Sequence, residues 1–231
     1  MSSCGVISVA GEPQVHTVEA ANGGAGGMPA DLVPEAATVR PAIDQDYIAD
    51  LYRQLLSALG EDPDRDGLKD TPRRVARWWS EFLEHDPGRT DTLFTHERAS
   101  ADGEELVIVS GIVVASLCEH HLLPMTLDVT AAYCPAGQVL GLSKIVRIAQ
   151  AHGHRLQLQE RIVNGIAEDL AKVTGAADVA VVARGEHACM SMRGVRASGA
   201  VSTSAVTRGR FSLDHPMGQL FRGVALKGVD Q

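Results

Sequence analysis

Cys118 and His121 are separated by two residues in Ser116-Leu117-Cys118-Glu119-His120-His121, and a second Cys/His pair lies far downstream in His187-Ala188-Cys189-Met190-Ser191-Met192-Arg193-Gly194. Thiolate and imidazole are soft and borderline ligands, and the Cys-x-x-His spacing lets both face one ion from a turn or strand end. Two ligands do not hold a metal, so the downstream stretch matters. Together the two offer Cys118, His121 and Cys189 as a candidate zinc triad, with His120 and His187 left over. Three protein ligands leave the fourth tetrahedral position for water, the arrangement of catalytic rather than structural zinc. Taken alone, a Cys-x-x-His pair is more often incidental than not, and free Cys packs as a small hydrophobe. Economy lowers that alternative: the chain has 4 Cys, and Cys118 and Cys189 both sit near His in polar, turn-like contexts. Cys134, in Ala131-Ala132-Tyr133-Cys134-Pro135, reads as strand-end core, and Cys4 lies in the N-terminal stretch.

The chain that must position these groups has 231 residues, room for one large domain or two small ones. Its hydrophobic content of 45% is that of a globular protein, and aromatics are sparse at 4%. Lys+Arg 21 against Asp+Glu 29 gives a net charge of −8. That balance argues against nucleic acid or an anionic membrane as partner, and makes any basic cluster a local exception. No run approaches a membrane span, and Met1-Ser2-Ser3-Cys4 lacks the charged n-region of a signal peptide. Cysteines without framework spacing fit a reducing compartment, so a cytoplasmic location is expected.

Residues 1–40 are rich in Gly, Ala and Pro with no period of 2 or 3.6, and read as a disordered tail. Residues 41–100 read as a helical region. Asp44 is the expected N-cap of a helix carrying Ile48, Leu51, Tyr52, Leu55 and Leu59 on one face, stopped by Gly60. The acidic turn 61–67 lacks the bidentate Glu of a calcium loop. Thr71-Pro72 is expected to open a second helix as N-cap and N1, with Arg73, Arg74 and Arg77 on its first turns. Residues 101–231 read as the catalytic domain, where the character turns to β. Leu106 to Ala115 is Val- and Ile-rich, and Thr126 to Tyr133 alternates. Gly141-Leu142-Ser143-Lys144 leads into a helix with Ser143 as expected N-cap; its free N–H groups, with Lys144 and Arg147, suit a phosphate. A longer helix is expected from about Leu156 to Thr174, carrying Gln157, Gln159, Glu160 and Arg161 at its start. Val179 to Ala183 and Val201 to Val206 read as strands. Strands in hairpin-like pairs among helices favour an α+β fold.

Taken in order, SLCEHHLLP, GLSKIVRIAQ, RLQLQER and HACMSMRG resemble GTP cyclohydrolase I, and Asp62 to Val75 resembles that family's N-terminal helical signature. The resemblance covers roughly residues 45 to 211. It departs at Met125 and Leu127, where the family has Phe and Gly, both in a strand rather than at a ligand. It implies the tunnelling fold: an antiparallel sheet with helices on one face, subunits joining into a multi-chain β-barrel, and a homodecamer of two pentamers. Same-fold relatives acting on pterins or deazapurines do not keep the whole Cys/His/Cys triad together with GLSK. A structural zinc would call for a fourth Cys or His.

The resemblance also implies the chemistry. Zinc on Cys118, His121 and Cys189 would serve hydrolysis of GTP at C8, with loss of formate, Amadori rearrangement and closure to 7,8-dihydroneopterin triphosphate, the first step of tetrahydrofolate and pterin biosynthesis. His120 and His187 would move protons. Glu160, with Gln159 beside it, would accept from guanine N1–H and the 2-amino group, a pairing adenine lacks. Without the family, Glu160 reads as an acid complementing a helix dipole. Ser143, Lys144, Arg147 and Arg193 would hold the triphosphate, with Arg74 and Arg77 reaching from a neighbouring subunit. In a barrel of several chains the zinc ligands and Glu160 need not come from one chain.

Overall fold

Val and Ile crowd Val107–Cys118, and apolar residues alternate with polar ones at the start of Pro124–Tyr133; these runs form the two longest strands and pair antiparallel. The computed structural model describes residues 42–95, 105–212 and 214–226, and the backbone of 16–17. In chain order the elements are β1 (His16–Thr17), α1 (Gln45–Ala58), α2 (Thr71–Leu83), β2 (Leu93–Thr95), β3 (Val107–Cys118) and β4 (Pro124–Tyr133). There follow β5 (Gln138–Leu140), α3 (Leu142–Gly153), β6 (Leu156–Gln157), α4 (Gln159–Thr174), β7 (Val179–His187), α5 (Ala188–Ser191), β8 (Ser202–Thr207) and α6 (Pro216–Ala225). One sheet has the order β1-β8-β7-β4-β3-β6, and β2 pairs with β5 in a separate ribbon. β3, β4, β7 and β8 are antiparallel to their neighbours, while the short β1 and β6 join the edges in parallel. The α+β expectation holds.

The main core lies between this sheet and α3 and α4. Leu127, Val129, Ala131, Tyr133, Val181 and Ala183 meet Ile145, Ile148 and Ala149 of α3 and Ile162, Val163, Ile166 and Leu170 of α4. Each such fully buried Leu, Ile or Val contributes roughly 1.5–3 kcal/mol, which fixes both helices on the sheet. The expectation of helices on one face only is corrected by α6. Its Met217 and Phe221, with Phe211, cover Ala132, Cys134, Ala180 and Val182 on the opposite face. One end of β4 and β7 is therefore buried from both sides, so the polar alternation lapses there and β7 reads as a continuous apolar run. No helix is expected from the sequence after Phe211; the signal was His215-Pro216, where the His215 ring accepts from the Met217 amide at 3.2 Å ahead of a first-turn proline.

Several boundaries also move. Asp44 caps α1 as expected, its Oδ1 accepting from the Tyr47 amide at 2.9 Å. α2 includes Thr71, with Asp70 as cap residue and no side-chain cap bond. α3 starts at Leu142 after Gly141, which places Ser143 inside the first turn. α4 starts only at Gln159, because Leu156 and Gln157 pair with Leu117 and Cys118 as β6. Leu93–Thr95, inside the stretch read as helical, pairs with β5. The reading of residues 1–40 as disordered lies outside the described residues, except at 16–17, whose backbone runs parallel to β8.

The register sorts the sheet into two ends. At one, Leu117 pairs with Pro124 and Met125 with His187; at the other, Tyr133 pairs with Val107 and Val179. Between them β4, 10 residues long, spans about 30 Å. The Tyr133 hydroxyl accepts from the Leu140 amide at 2.7 Å in the interior, so α3 begins near the second end. It returns along the sheet to Gly153, where a Cβ would lie 2.3 Å from Val114 Cγ1 and 3.0 Å from the Ala115 carbonyl. Only glycine allows that approach of helix to strand.

Candidate metal centre and active site

A tight turn between β3 and β4 carries the first ligands. The Cys118 amide donates to the Leu123 carbonyl at 2.9 Å, and the Leu122 amide returns to the Cys118 carbonyl at 2.8 Å. Leu122 sits at φ 54, a left-handed conformation costing a non-glycine residue roughly 1–2 kcal/mol. Strain of this kind gathers where surroundings over-determine a functional turn. Here it folds the chain so that His121 Nδ1 lies 3.9 Å from Cys118 Sγ. Two ties hold the turn to the following elements: the Glu119 amide donates to the Gln157 carbonyl at 3.1 Å, and Arg161 of α4 grips the Glu119 carboxylate at 2.7 Å. The hydrogen bond from Arg161 keeps the Glu119 carboxyl below its ordinary range, against the opposing effect of burial.

The third ligand arrives from β7. The strand ends at His187, and Cys189 stands on the single turn α5. One ligand atom from each of Cys118, His121 and Cys189 lies within 4.8 Å of the others. Zinc bound at its usual lengths in a tetrahedron places sulfur and nitrogen about 3.6 Å apart, so a modest contraction would close the set. The donor chemistry fits: two soft sulfurs and one imidazole suit zinc and not a hard cation. Cys118 is buried, Cys189 half-buried and His121 exposed, so the group is reached from one side. Burial and the adjacent Cys118 thiol push the Cys189 thiol up, the crowding of two acids that a cation relieves.

Other candidate residues gather at this same end. Arg193 Nη1 donates to His121 Nε2 at 3.0 Å. The ring of His120 is centred 6.2 Å from that of His121. His187 Nε2 is 2.7 Å from Gln159 Oε1. Burial pushes the His187 imidazole down, partly offset by the nearby negative charge of Glu160. Glu160, on the exposed first turn of α4 beside Arg161, thus acts on His187 within one chain. Gln159 is 2% exposed. Its amide nitrogen donates to the carbonyls of Ala183 and Ser202, and its oxygen accepts from the Ser202 hydroxyl.

The remaining candidates lie elsewhere. Ser143, Lys144 and Arg147 occupy the first turns of α3 near the far end of the sheet, and the Arg147 guanidinium donates to the Pro87 carbonyl. No side chain caps α3. Arg74 and Arg77 are exposed on α2, Arg74 reaching Asp70 at 3.4 Å. Glu119 and Ser202 drew no attention in the sequence. Glu119 could have, since it sits between two ligands; Ser202 carries no local signal.

The family model described as GTP cyclohydrolase I matches residues 48–224, a span holding every candidate residue above. Over 176 residues the chain is 47% identical to the GTP cyclohydrolase 1 of Hyperthermus butylicus, covering 76% of this chain and 88% of the relative. It is 45% identical over 190 residues to the GTP cyclohydrolase 1 of Mycobacterium ulcerans, covering 80% and 91%. With GTP cyclohydrolase 1 1 of Pseudomonas aeruginosa it shares 44% over 174 residues, covering 75% and 90%. Likeness of this extent, over a span that holds Cys118, His121 and Cys189, means that the chain belongs to the GTP cyclohydrolase I family.

Proposed function

We propose that this hydrolase is a zinc-dependent GTP cyclohydrolase. It removes C8 of GTP as formate and, through Amadori rearrangement and ring closure, yields 7,8-dihydroneopterin triphosphate, the first step of tetrahydrofolate and pterin biosynthesis. The observation that carries the reading is the convergence of Cys118, His121 and Cys189 at the end of the sheet that also holds His187 and Glu160.

Water attacks an aromatic carbon poorly at neutral pH. Held by Cys118, His121 and Cys189, zinc would supply Lewis acidity that brings the pKa of a water to ~7. His187 and His120 hold and move protons at N7 and N9 of the opening ring. Glu160 accepts from N1–H and the 2-amino group, selecting guanine over adenine. Arg193, expected among the triphosphate holders, contacts His121 at the metal end instead and adds positive charge beside the opening ring.

The triphosphate is held by Ser143, Lys144 and Arg147 with the uncapped N-terminus of α3, where unpaired N–H groups and the helix dipole favour an anion. These groups and the metal ligands stand at opposite ends of one sheet, so a single chain does not present both to one nucleotide. The pocket therefore combines the metal end of one copy with the α3 start of another, with Arg74 and Arg77 joining from a neighbour. This is what supports a homo-oligomer with GTP as the small-molecule partner; the decamer of two pentamers is what the family resemblance implies. Among the described residues no helix is long and apolar enough to cross a membrane. Incubation of the zinc-replete protein with GTP should release formate in step with a pterin that fluoresces after oxidation. GTP left intact would end the reading.

A further inference from the structure

From the buried contacts of Gln159 we infer that it is a positioning residue, whose side-chain oxygen fixes which nitrogen of His187 carries the proton. The inference rests on the role given to His187 above. Its basis is a complete accounting of donors and acceptors around one buried amide. Gln159 Nε2 faces two backbone carbonyls, Ala183 at 2.8 Å and Ser202 at 3.3 Å. A carbonyl only accepts, so the NH2 group must lie on that side, and the ambiguity between the two ends of a side-chain amide is removed. Oε1 then faces the Ser202 hydroxyl and His187 Nε2, the latter at 2.7 Å. An amide oxygen only accepts. His187 Nε2 must therefore donate, which places the proton of the neutral ring on Nε2 and the lone pair on Nδ1.

The same bond persists when the ring is fully protonated, because Nε2 donates in both states. Proton exchange with a substrate is thereby confined to Nδ1. Without the constraint, an imidazole divides between two tautomers and two ring orientations, of which one serves. The Gln159 side chain has no polar atom left for a nucleotide: its oxygen has two donors and its nitrogen two acceptors, all within the chain. The elements that hold it are β7 through Ala183 and β8 through Ser202, with α4 supplying the residue itself. The tautomer is thus set by the packing of a helix start against two strands, and not by the ligand.

The test uses full-length, zinc-loaded protein labelled with 13C,15N-histidine and read by solid-state NMR, His187 being identified by the signal lost in His187→Gln. The wild-type protein should show His187 with the proton on Nε2. Gln159→Met keeps the length of the side chain and removes its acceptor, so His187 should show both tautomers. Its kcat for GTP should fall about 10²-fold while KM stays within roughly threefold, as expected when a general acid–base group is misdirected rather than substrate lost. Three results would overturn the inference. One is a wild-type proton on Nδ1, readable even if the variant does not fold. The second is an unchanged tautomer in Gln159→Met. The third is a raised KM with unchanged kcat, which would return Gln159 to substrate binding. Formate release by the wild-type protein separates the two readings: its absence removes the cyclohydrolase role, while the tautomer measurement judges Gln159 by itself.

Discussion

Arg161 and Glu119 face each other across the gap between α4 and the ligand turn, Nη1 to Oε2 at 2.7 Å and Nη2 to Oε1 at 3.3 Å. The pair is forked and partly exposed, so its contribution is expected to stay at or below about 1 kcal/mol. Arg161→Ala should therefore weaken zinc by no more than a few-fold and leave folding nearly unchanged. Competition with a chelator measures it. A loss of zinc as complete as that of a ligand variant would mean that Arg161 does more than brace the turn.

The ligand set makes a sharper prediction. Cys118→Ser, His121→Ala and Cys189→Ser should each lose stoichiometric zinc and GTP turnover while keeping their fold. His187→Ala and His120→Ala should keep zinc and lower kcat by ~10²–10⁴. Metal analysis beside steady-state kinetics distinguishes the two classes. Any ligand variant with full zinc and full activity refutes its assignment.

Placement at opposite ends of the sheet predicts which inactive chains rescue each other. Cys189→Ser and Lys144→Ala damage different ends, so co-expressed copies should form some pockets with two sound halves and regain activity. Cys189→Ser with Glu160→Ala should not, since both damage the metal end, contrary to the expectation that these two groups need not share a chain. Mass measurement must show mixed assemblies in both cases. Recovery in the second pair alone would reverse the assignment.

His154 offers a pH-dependent stability. Its ring is centred 3.8 Å from that of His85 and 5.3 Å from Phe82, and neither His154 Nδ1 nor His85 Nε2 has a hydrogen-bond partner. Burial, and then the charge of His85, hold the His154 imidazole below its ordinary value. The unfolded chain therefore takes up that proton first. The contribution is complete above the ordinary pKa of ~6.5 and declines as pH falls through that value toward the folded one. Melting between pH 7.5 and 5.5 should fall further for the wild-type chain than for His154→Phe. Equal falls would show that this contact does not titrate in that window.

Gly185 lies in β7 beside the site. A Cβ there would stand 2.2 Å from the Thr126 carbonyl and 2.6 Å from Leu127 Cδ2. Backbone cannot retreat as a long side chain can, so Gly185→Ala should cost about 1–3 kcal/mol. Chemical denaturation checks it, and an unshifted midpoint would show that β4 and β7 part easily.

The ligand triad was legible because each half is local: Cys118 and His121 share a turn, and Cys189 follows a buried strand that must end near it. The role proposed for Glu160 rests on the family alone, since an acid at a helix start has an ordinary explanation. On the inference above, Gln159 positions His187 rather than contacting substrate, and its place in the sequence does not reveal this. A glutamine at a helix start looks the same whether it faces a ligand or its own sheet, and only the packing of α4 against β7 and β8 decides. Ser143 failed as a cap because Gly141 and Leu142 follow β5 directly, and pairing of β5 with β2 sets where the helix begins. α6 escaped because its partners, Ala132, Cys134, Ala180 and Val182, alternate with residues already assigned to the other face.

The double covering of β4 and β7 at the Tyr133 and Val179 end bears on how the molecule breathes. Amide hydrogens held between two packed faces open only with large units of structure, whereas those at a strand end beside a solvent-facing turn open locally. Exchange should accordingly be slowest around Val129 to Tyr133 and Val179 to Val182, and quicker from Cys118 to Leu123. The firm pole supports the start of α3, which on the proposed reading holds a charged tail still. The pliant pole carries the turn that must adjust by fractions of an ångström as bonds to a ring are made and broken.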